Sequence, residues 1–192
     1  MTICTPKHFT IAEYHRLTEI GFFSEDDKVE LIHGGIFEMA AKGFAHETCL
    51  RRLLRELNGI LGELATLQCQ APILLPNDSE PEPDFTIVRN RDDDYLSGHP
   101  TPADILLLIE IADSSLSYDQ DVKLPVYAEA GISHYWIFNL PGDCLECHSE
   151  PYQTMKGDFS YRQRLICLPN ETVKLPCFPD LSLNLSLVFS IK

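Results

Sequence analysis

The sequence predicts an α/β fold, a mixed β-sheet flanked by helices, built as one domain. Three observations carry this. Helix-periodic and strand-like segments follow one another as helix, hairpin, helix, strands, helix, strand. The run ILLLIEI (105–111) is almost wholly Ile and Leu, as in a strand covered on both faces. A chain of 192 residues with 44% hydrophobic content can bury one ordinary core and is short for two. Residues 1–192 are therefore read as a single domain.

Each element has a local reason. In FTIAEYHRLTEIG, Thr10 and Glu13 form a capping-box pattern, Ile11, Tyr14, Leu17 and Ile20 recur with helical spacing, and Gly21 ends the helix. KVELIHGGIFEMA reads as a hairpin turning at Gly34-Gly35. Residues 44–64 predict a long helix whose apolar stripe is Leu50, Leu53, Leu54, Leu57, Ile60, Leu61 and Leu64. Strands are expected near 66–75, 84–88 and 105–112. A helix near 118–130 ends at Gly131, and HYWIFN (134–139) resumes as a strand. Pro125 conflicts with that helix, since an interior proline costs about 3 kcal/mol; a kink or a late-starting helix is expected. Residues 143–191 read as short strands and turns. The alternation at 181, 183, 185 and 187 suits a strand that covers the sheet or builds a two-fold contact, and a homodimer is expected.

Composition narrows the function classes. Asp+Glu number 29 against 15 Lys+Arg, a formal net charge of −14. That counts against a large nonspecific nucleic-acid binder, although not against an enzyme whose metal ions and a local basic patch meet the phosphate. The first residues lack a signal-peptide pattern, and the longest apolar run is far too short to cross a bilayer. Seven scattered cysteines fit reduced thiols. A soluble cytoplasmic protein with no membrane contact is expected.

Two acids stand where acids are costly. Glu110 interrupts an apolar strand, and sheet alternation places it with Leu108 and Ala112 on one face, opposite Ile109 and Ile111. Asp84 opens another strand, with Pro83 disfavouring a helix before it. Two carboxylates on neighbouring strands are a standard way to hold Mg²⁺, and a metal there acidifies water and neutralises phosphoryl charge. Lys123 is the natural third member, because a helix aligns it with Asp119 and Tyr127. The bland alternative is that Asp84 caps a turn, Glu110 pairs with an arginine and Lys123 is exposed.

The residues E-P-D-F (82–85), I-E-I-A-D-S-S (109–115) and D-x-x-x-K-L-P-V-Y-A-E-A-G-I-x-x-Y-W-I (119–137) resemble a large endonuclease family, long catalogued as a domain of unknown function. It belongs to the PD-(D/E)xK, restriction-endonuclease-like superfamily. The resemblance spans nearly the whole chain, including E-L-I-x-G-x-I (30–36) and His46 at the start of the long helix. It implies a restriction-endonuclease-like core and an endonuclease that uses Mg²⁺ or Mn²⁺ to hydrolyse DNA. Asp84 and Glu110 would be metal ligands, with the main-chain carbonyl of Ile111 as a further one. The motif lysine should stand two residues after the acid, where this sequence has Ala112. The resemblance moves that role to Lys123. It also makes Glu30 an extra acid and His46 an auxiliary group, although a helix-opening histidine bonded to nearby backbone is the simpler reading of His46. Tyr127 is a further auxiliary candidate, though Tyr127 and Trp136 suit packing.

Candidate DNA contacts are Lys42, Arg51, Arg52 and Arg55, with Arg89 and Arg91 just beyond the Asp84 strand; weak, salt-dependent DNA binding is expected. CLECH (144–148) matches a haem-attachment pattern, but lies in a strand-and-turn context without an export signal, so no haem is expected. A zinc half-site there lacks a compact second pair. The rival to an enzyme is a catalytically inactive nuclease-fold binding or assembly module, which the acidic balance favours.

Overall fold

The computed structural model describes residues 5–24 and 26–189. Helix α1 (Ile11–Glu19) carries the expected capping box, with Thr10 and Glu13 bonded reciprocally. The hairpin pairs β1 (Val29–Ile32) with β2 (Gly35–Glu38). Its turn is His33-Gly34, not Gly34-Gly35: both turn residues have positive φ (47° and 72°), as a two-residue hairpin turn requires, and Gly35 already pairs with Ile32. A Cβ on Gly34 would stand 2.8 Å from His8 Cβ and 2.9 Å from Phe9 O, so this glycine also admits the N-terminal segment.

Helix α2 (Phe44–Leu61) follows. Leu53, Leu57 and Leu61 are buried as expected, His46 and Cys49 extend the stripe, and Leu64 lies exposed beyond the helix end. Strands β3 (Thr66–Cys69), β4 (Phe85–Val88) and β5 (Ile105–Ala112) come next, and residues 70–75 do not continue β3.

The crossover from β5 to β6 (His134–Asn139) is a composite helix: α3 (Leu116–Tyr118), a π-helical turn (Asp119–Lys123) and α4 (Leu124–Glu129). Pro125 explains the composite. It has no N–H to give Asp121, and an α-helical path would drive its ring into that carbonyl. The chain widens instead, and the Leu124 N–H bonds back to the carbonyl of Asp119, five residues earlier.

Strands β7 (Cys144–Gln153) and β8 (Phe159–Cys167) form a long hairpin, longer than the short strands expected here. A second hairpin joins β9 (Thr172–Leu175) to β10 (Phe178–Asn184). The strand-like alternation of the tail stops at 184, where a 3₁₀ turn (Leu185–Leu187) begins. Leu183, Leu185, Val188 and Phe189 are buried in the protein's own core, so the tail covers the sheet.

The main sheet has six strands in the order β3-β4-β5-β6-β7-β8. Only β5 and β6 run parallel; every other neighbouring pair in it is antiparallel. One face, with Phe85, Ile87, Leu107, Ile109, Ile111 and Trp136, packs with α2 and the tail. The other, with Leu108, Ala112, Tyr135 and Ile137, packs with α4. This is the alternation expected of β5. Six cysteines among the described residues are free thiols. No helix of the described residues is long and apolar enough to cross a membrane.

Candidate active site

The cleft forms where β5 ends, between the crossover helix and the segment leading into α2. Its volume is about 60 Å³, and Glu30, His46, Asp84, Glu110, Asp119 and Lys123 are among its lining. All six are buried. A larger hollow of about 600 Å³ shares residues 39–42 and Glu82 with it.

Asp84 and Glu110 are interleaved through the backbone. The Asp84 N–H donates to Glu110 Oε2 (3.3 Å), while the N–H of Ile111, next to Glu110, donates to Asp84 Oδ2 (2.9 Å). His46 Nε2 lies 2.9 Å from Asp84 Oδ2, and Gln70 Nε2 donates to Oδ1 (3.2 Å). His46 is thus partnered by Asp84 rather than by nearby backbone; its Nδ1 is buried without a hydrogen bond. Lys42 Nζ is 3.8 Å from Asp84 Oδ1. Lys123 Nζ donates to Glu110 Oε1 (2.9 Å) and sits 3.4 Å from Glu30 Oε2. Tyr127 does more than pack: its hydroxyl donates to Glu110 Oε1 at 2.9 Å. Trp136 is buried on the opposite face, in the core with α2.

The two central acids are driven apart in acidity. Burial pushes Glu110 up to about 8, reinforced by Asp119, Asp84 and Glu30, while Lys123 pulls it down. Burial also opposes ionisation of Asp84, but His46, the Ile111 N–H and Gln70 hold it below the usual carboxylate range. Asp119 is pushed up to about 6 by burial, against Lys123. Lys123 is itself buried, yet Glu110, Glu30 and Asp119 raise it above its ordinary value and keep it charged.

Several contributors escaped sequence reasoning. Gln70 reaches Asp84 from across the sheet edge, and Glu82 lines both cavities, its N–H donating to Glu30 Oε2 at 3.1 Å. Asp119 had a visible signal, its helical spacing from Lys123 and Tyr127. The expected arginines stand outside the cleft lining. Arg51 pairs with Glu47, Arg55 with Glu56, and Arg52 donates to the Val188 carbonyl. Arg89 donates to the Ala103 carbonyl, and Arg91 clips its own loop through Asp93 and the Tyr95 ring, beyond the end of β4 away from Asp84.

Among the described residues, no group of three or more His, Cys, Asp or Glu side chains is arranged to hold a metal ion. Two carboxylates with one main-chain carbonyl is a smaller set, and it suits a cation that takes oxygen ligands and keeps several waters. The surroundings suit one too: buried carboxylates outnumber the buried lysine, and Glu30 Oε1 is buried without a hydrogen bond.

A family model for Uma2, described as "Putative restriction endonuclease", matches residues 11–186. A crystal structure described as "a putative nuclease belonging to DUF820 from Anabaena variabilis ATCC 29413" is similar in fold, with a TM-score of 0.70 at 15% identity, over 94% of this chain and 97% of that one. No curated protein matches in sequence.

Proposed function

The chain belongs to the Uma2 restriction-endonuclease family, and we propose on that premise that it is a metal-dependent endonuclease that hydrolyses phosphodiester bonds in DNA. The observation that carries this reading is the meeting of Asp84, Glu110 and Lys123 in one cleft. Asp84, Glu110 and the Ile111 carbonyl are the oxygens that would hold Mg²⁺ or Mn²⁺. Bound there, the ion supplies Lewis-acid polarisation of the phosphoryl oxygens and acidifies water. His46 and Gln70 orient Asp84, and Tyr127 orients Glu110. Lys123 holds the attacking water and offsets the negative charge that builds on the phosphate. Glu30 fixes the lysine from its other side. Lys42, at the cleft and 35% exposed, is the side chain best placed to meet a substrate phosphate.

The test is plasmid nicking at low salt with Mg²⁺ or Mn²⁺. The wild type should cut, and Asp84→Ala, Glu110→Ala and Lys123→Ala should each lose about 10³-fold or more, since such groups act as a unit. Millimolar Mn²⁺ should also raise the wild-type Tm by mass action, and Asp84→Asn should not respond. A wild type that neither cuts nor gains stability favours the inactive-module reading, to which the net charge of −14 lends weight. A homodimer is part of the proposal, because two-fold symmetry suits a duplex substrate. Light scattering at micromolar concentration should give twice 21.7 kDa, and a monomer mass would remove that element.

A further inference from the structure

Glu146 on β7 is more deeply buried than Glu30, Asp84 or Glu110, at 0% exposure, and nothing in the mechanism above uses it. A buried carboxylate is costly unless it is paired and hydrogen-bonded. Its place in the sheet is specific. Glu110 pairs with Ile137, and Ile137 pairs with Glu146, so the three stand in one cross-strand row on one face. The π-helical turn spans this row with a contact on each acid. Lys123 Nζ meets Glu110 Oε1 at 2.9 Å, and Gln120 Nε2 lies 3.0 Å from both carboxylate oxygens of Glu146. The Tyr135 hydroxyl donates to the Asp119 carbonyl at 3.3 Å, holding the start of the turn.

The rest of the Glu146 carboxylate is also engaged. Asn139 Nδ2 donates to Oε1 at 2.9 Å, Arg164 Nη2 approaches Oε2 at 3.0 Å and balances its charge, and His148 Nε2 lies 3.4 Å from the same oxygen. Asn139 and Arg164 come from β6 and β8, so the anchor is tied to the sheet on both sides. Such a turn is uncommon; it occurs mostly as a single-turn insertion in an α-helix, frequently at a functional site.

We propose that Gln120 and Glu146 are a positioning pair that fixes the π-helical turn and thereby places Lys123 against Glu110. Neither touches the reacting atoms. The catalytic consequence rests on the nuclease reading, but the structural claim does not, and the experiment separates them. Full-length, metal-free protein is briefly treated with an amine-acylating reagent, and modification of Lys123 is measured by mass spectrometry relative to Lys7 and Lys174. In the wild type Lys123 should be protected. In Gln120→Ala its labelling should rise about ten-fold through local opening, with a two-state thermal transition retained. Glu146→Gln, which keeps one acceptor oxygen, should fall between the two. In plasmid nicking, Gln120→Ala should lower kcat by about 10²-fold, the order expected for an ångström-scale misplacement, with KM within about two-fold because substrate binding is untouched. Lys123 as protected in Gln120→Ala as in the wild type overturns the pair, and so does an unchanged kcat in an active enzyme. A wild type that cuts no DNA sinks the nuclease reading alone, and the labelling then decides the pair.

Discussion

Among the described residues Lys123 is the only buried lysine or arginine, and it faces Glu110 and Glu30. Removing it leaves those carboxylates without their cation, so Lys123→Met should cost about 3–5 kcal/mol near pH 8. The cost should shrink toward pH 5. Glu110 is raised above its ordinary 4.5 to about 8, so its contribution to stability is intact below 4.5 and is lost as pH rises through 8. Without the lysine that rise is larger, and the variant tolerates Glu110 only as the protonated acid. Urea unfolding at pH 5.5 and 8.5 checks this; an equal penalty at both would contradict it. That Asp84, Glu110 and Lys123 meet in one cleft was legible in part: the two acids stand out against their local pattern and Lys123 keeps helical register with its neighbours, but that left a bland alternative open, and the family resemblance singled out the three together. The resemblance named His46 as an auxiliary group, but its pairing with Asp84 was not legible, and Gln70 was not named at all. His46 and Gln70 lie 38 and 14 positions from Asp84, and neither offends any local pattern, so only the closed tertiary fold pairs them.

At the scale of elements, the crossover helix shows how a sequence conflict can be resolved without a break. Pro125 predicted a kink, and the chain answered with a wider turn that puts Gln120 and Lys123 on the same sheet face. Pro125→Ala restores a backbone donor and removes the obstacle to a continuous α-helix, in whose interior a proline would cost about 3 kcal/mol. It should leave Tm unchanged or raise it while lowering the nicking rate, because an ordinary α-turn would carry Lys123 away from Glu110. A rate equal to wild type would mean that the turn holds its shape without the proline. The π-turn itself was not legible: side-chain periodicity over five residues cannot separate 3.6 from 4.4 residues per turn. The hairpin turn was misplaced by one residue for a related reason. Gly34 and Gly35 both permit positive φ, but His33 and Gly34 take it, and the choice is made by pairing β1 with β2 and by the close approach of His8 and Phe9. Tail residues 185–187 likewise alternate like a strand, yet the chain turns there to bury Leu185.

At the scale of the whole molecule, the net charge of −14 and the engagement of most candidate arginines with local acids or carbonyls leave few cations to displace counterions. Metal-free DNA binding should therefore be weak, with log K falling against log salt at a slope of about −1 to −3, roughly −0.9 per neutralised phosphate. Fluorescence anisotropy with a duplex in EDTA would measure it, and a slope near −8 would require a basic surface this fold does not present. The layered architecture was readable because each element carries its own periodicity. Strand order was not, since it depends on which edges meet after the chain has folded. The main sheet has a single parallel pair, β5 with β6. Two parallel neighbours oblige the chain to return over a face of the sheet, and here that return crosses the face to which Glu110 points. A lysine on that return can therefore face the acid without standing a fixed number of residues after it: the path of the chain over the sheet, rather than the register of the strand, brings the ammonium group to Glu110.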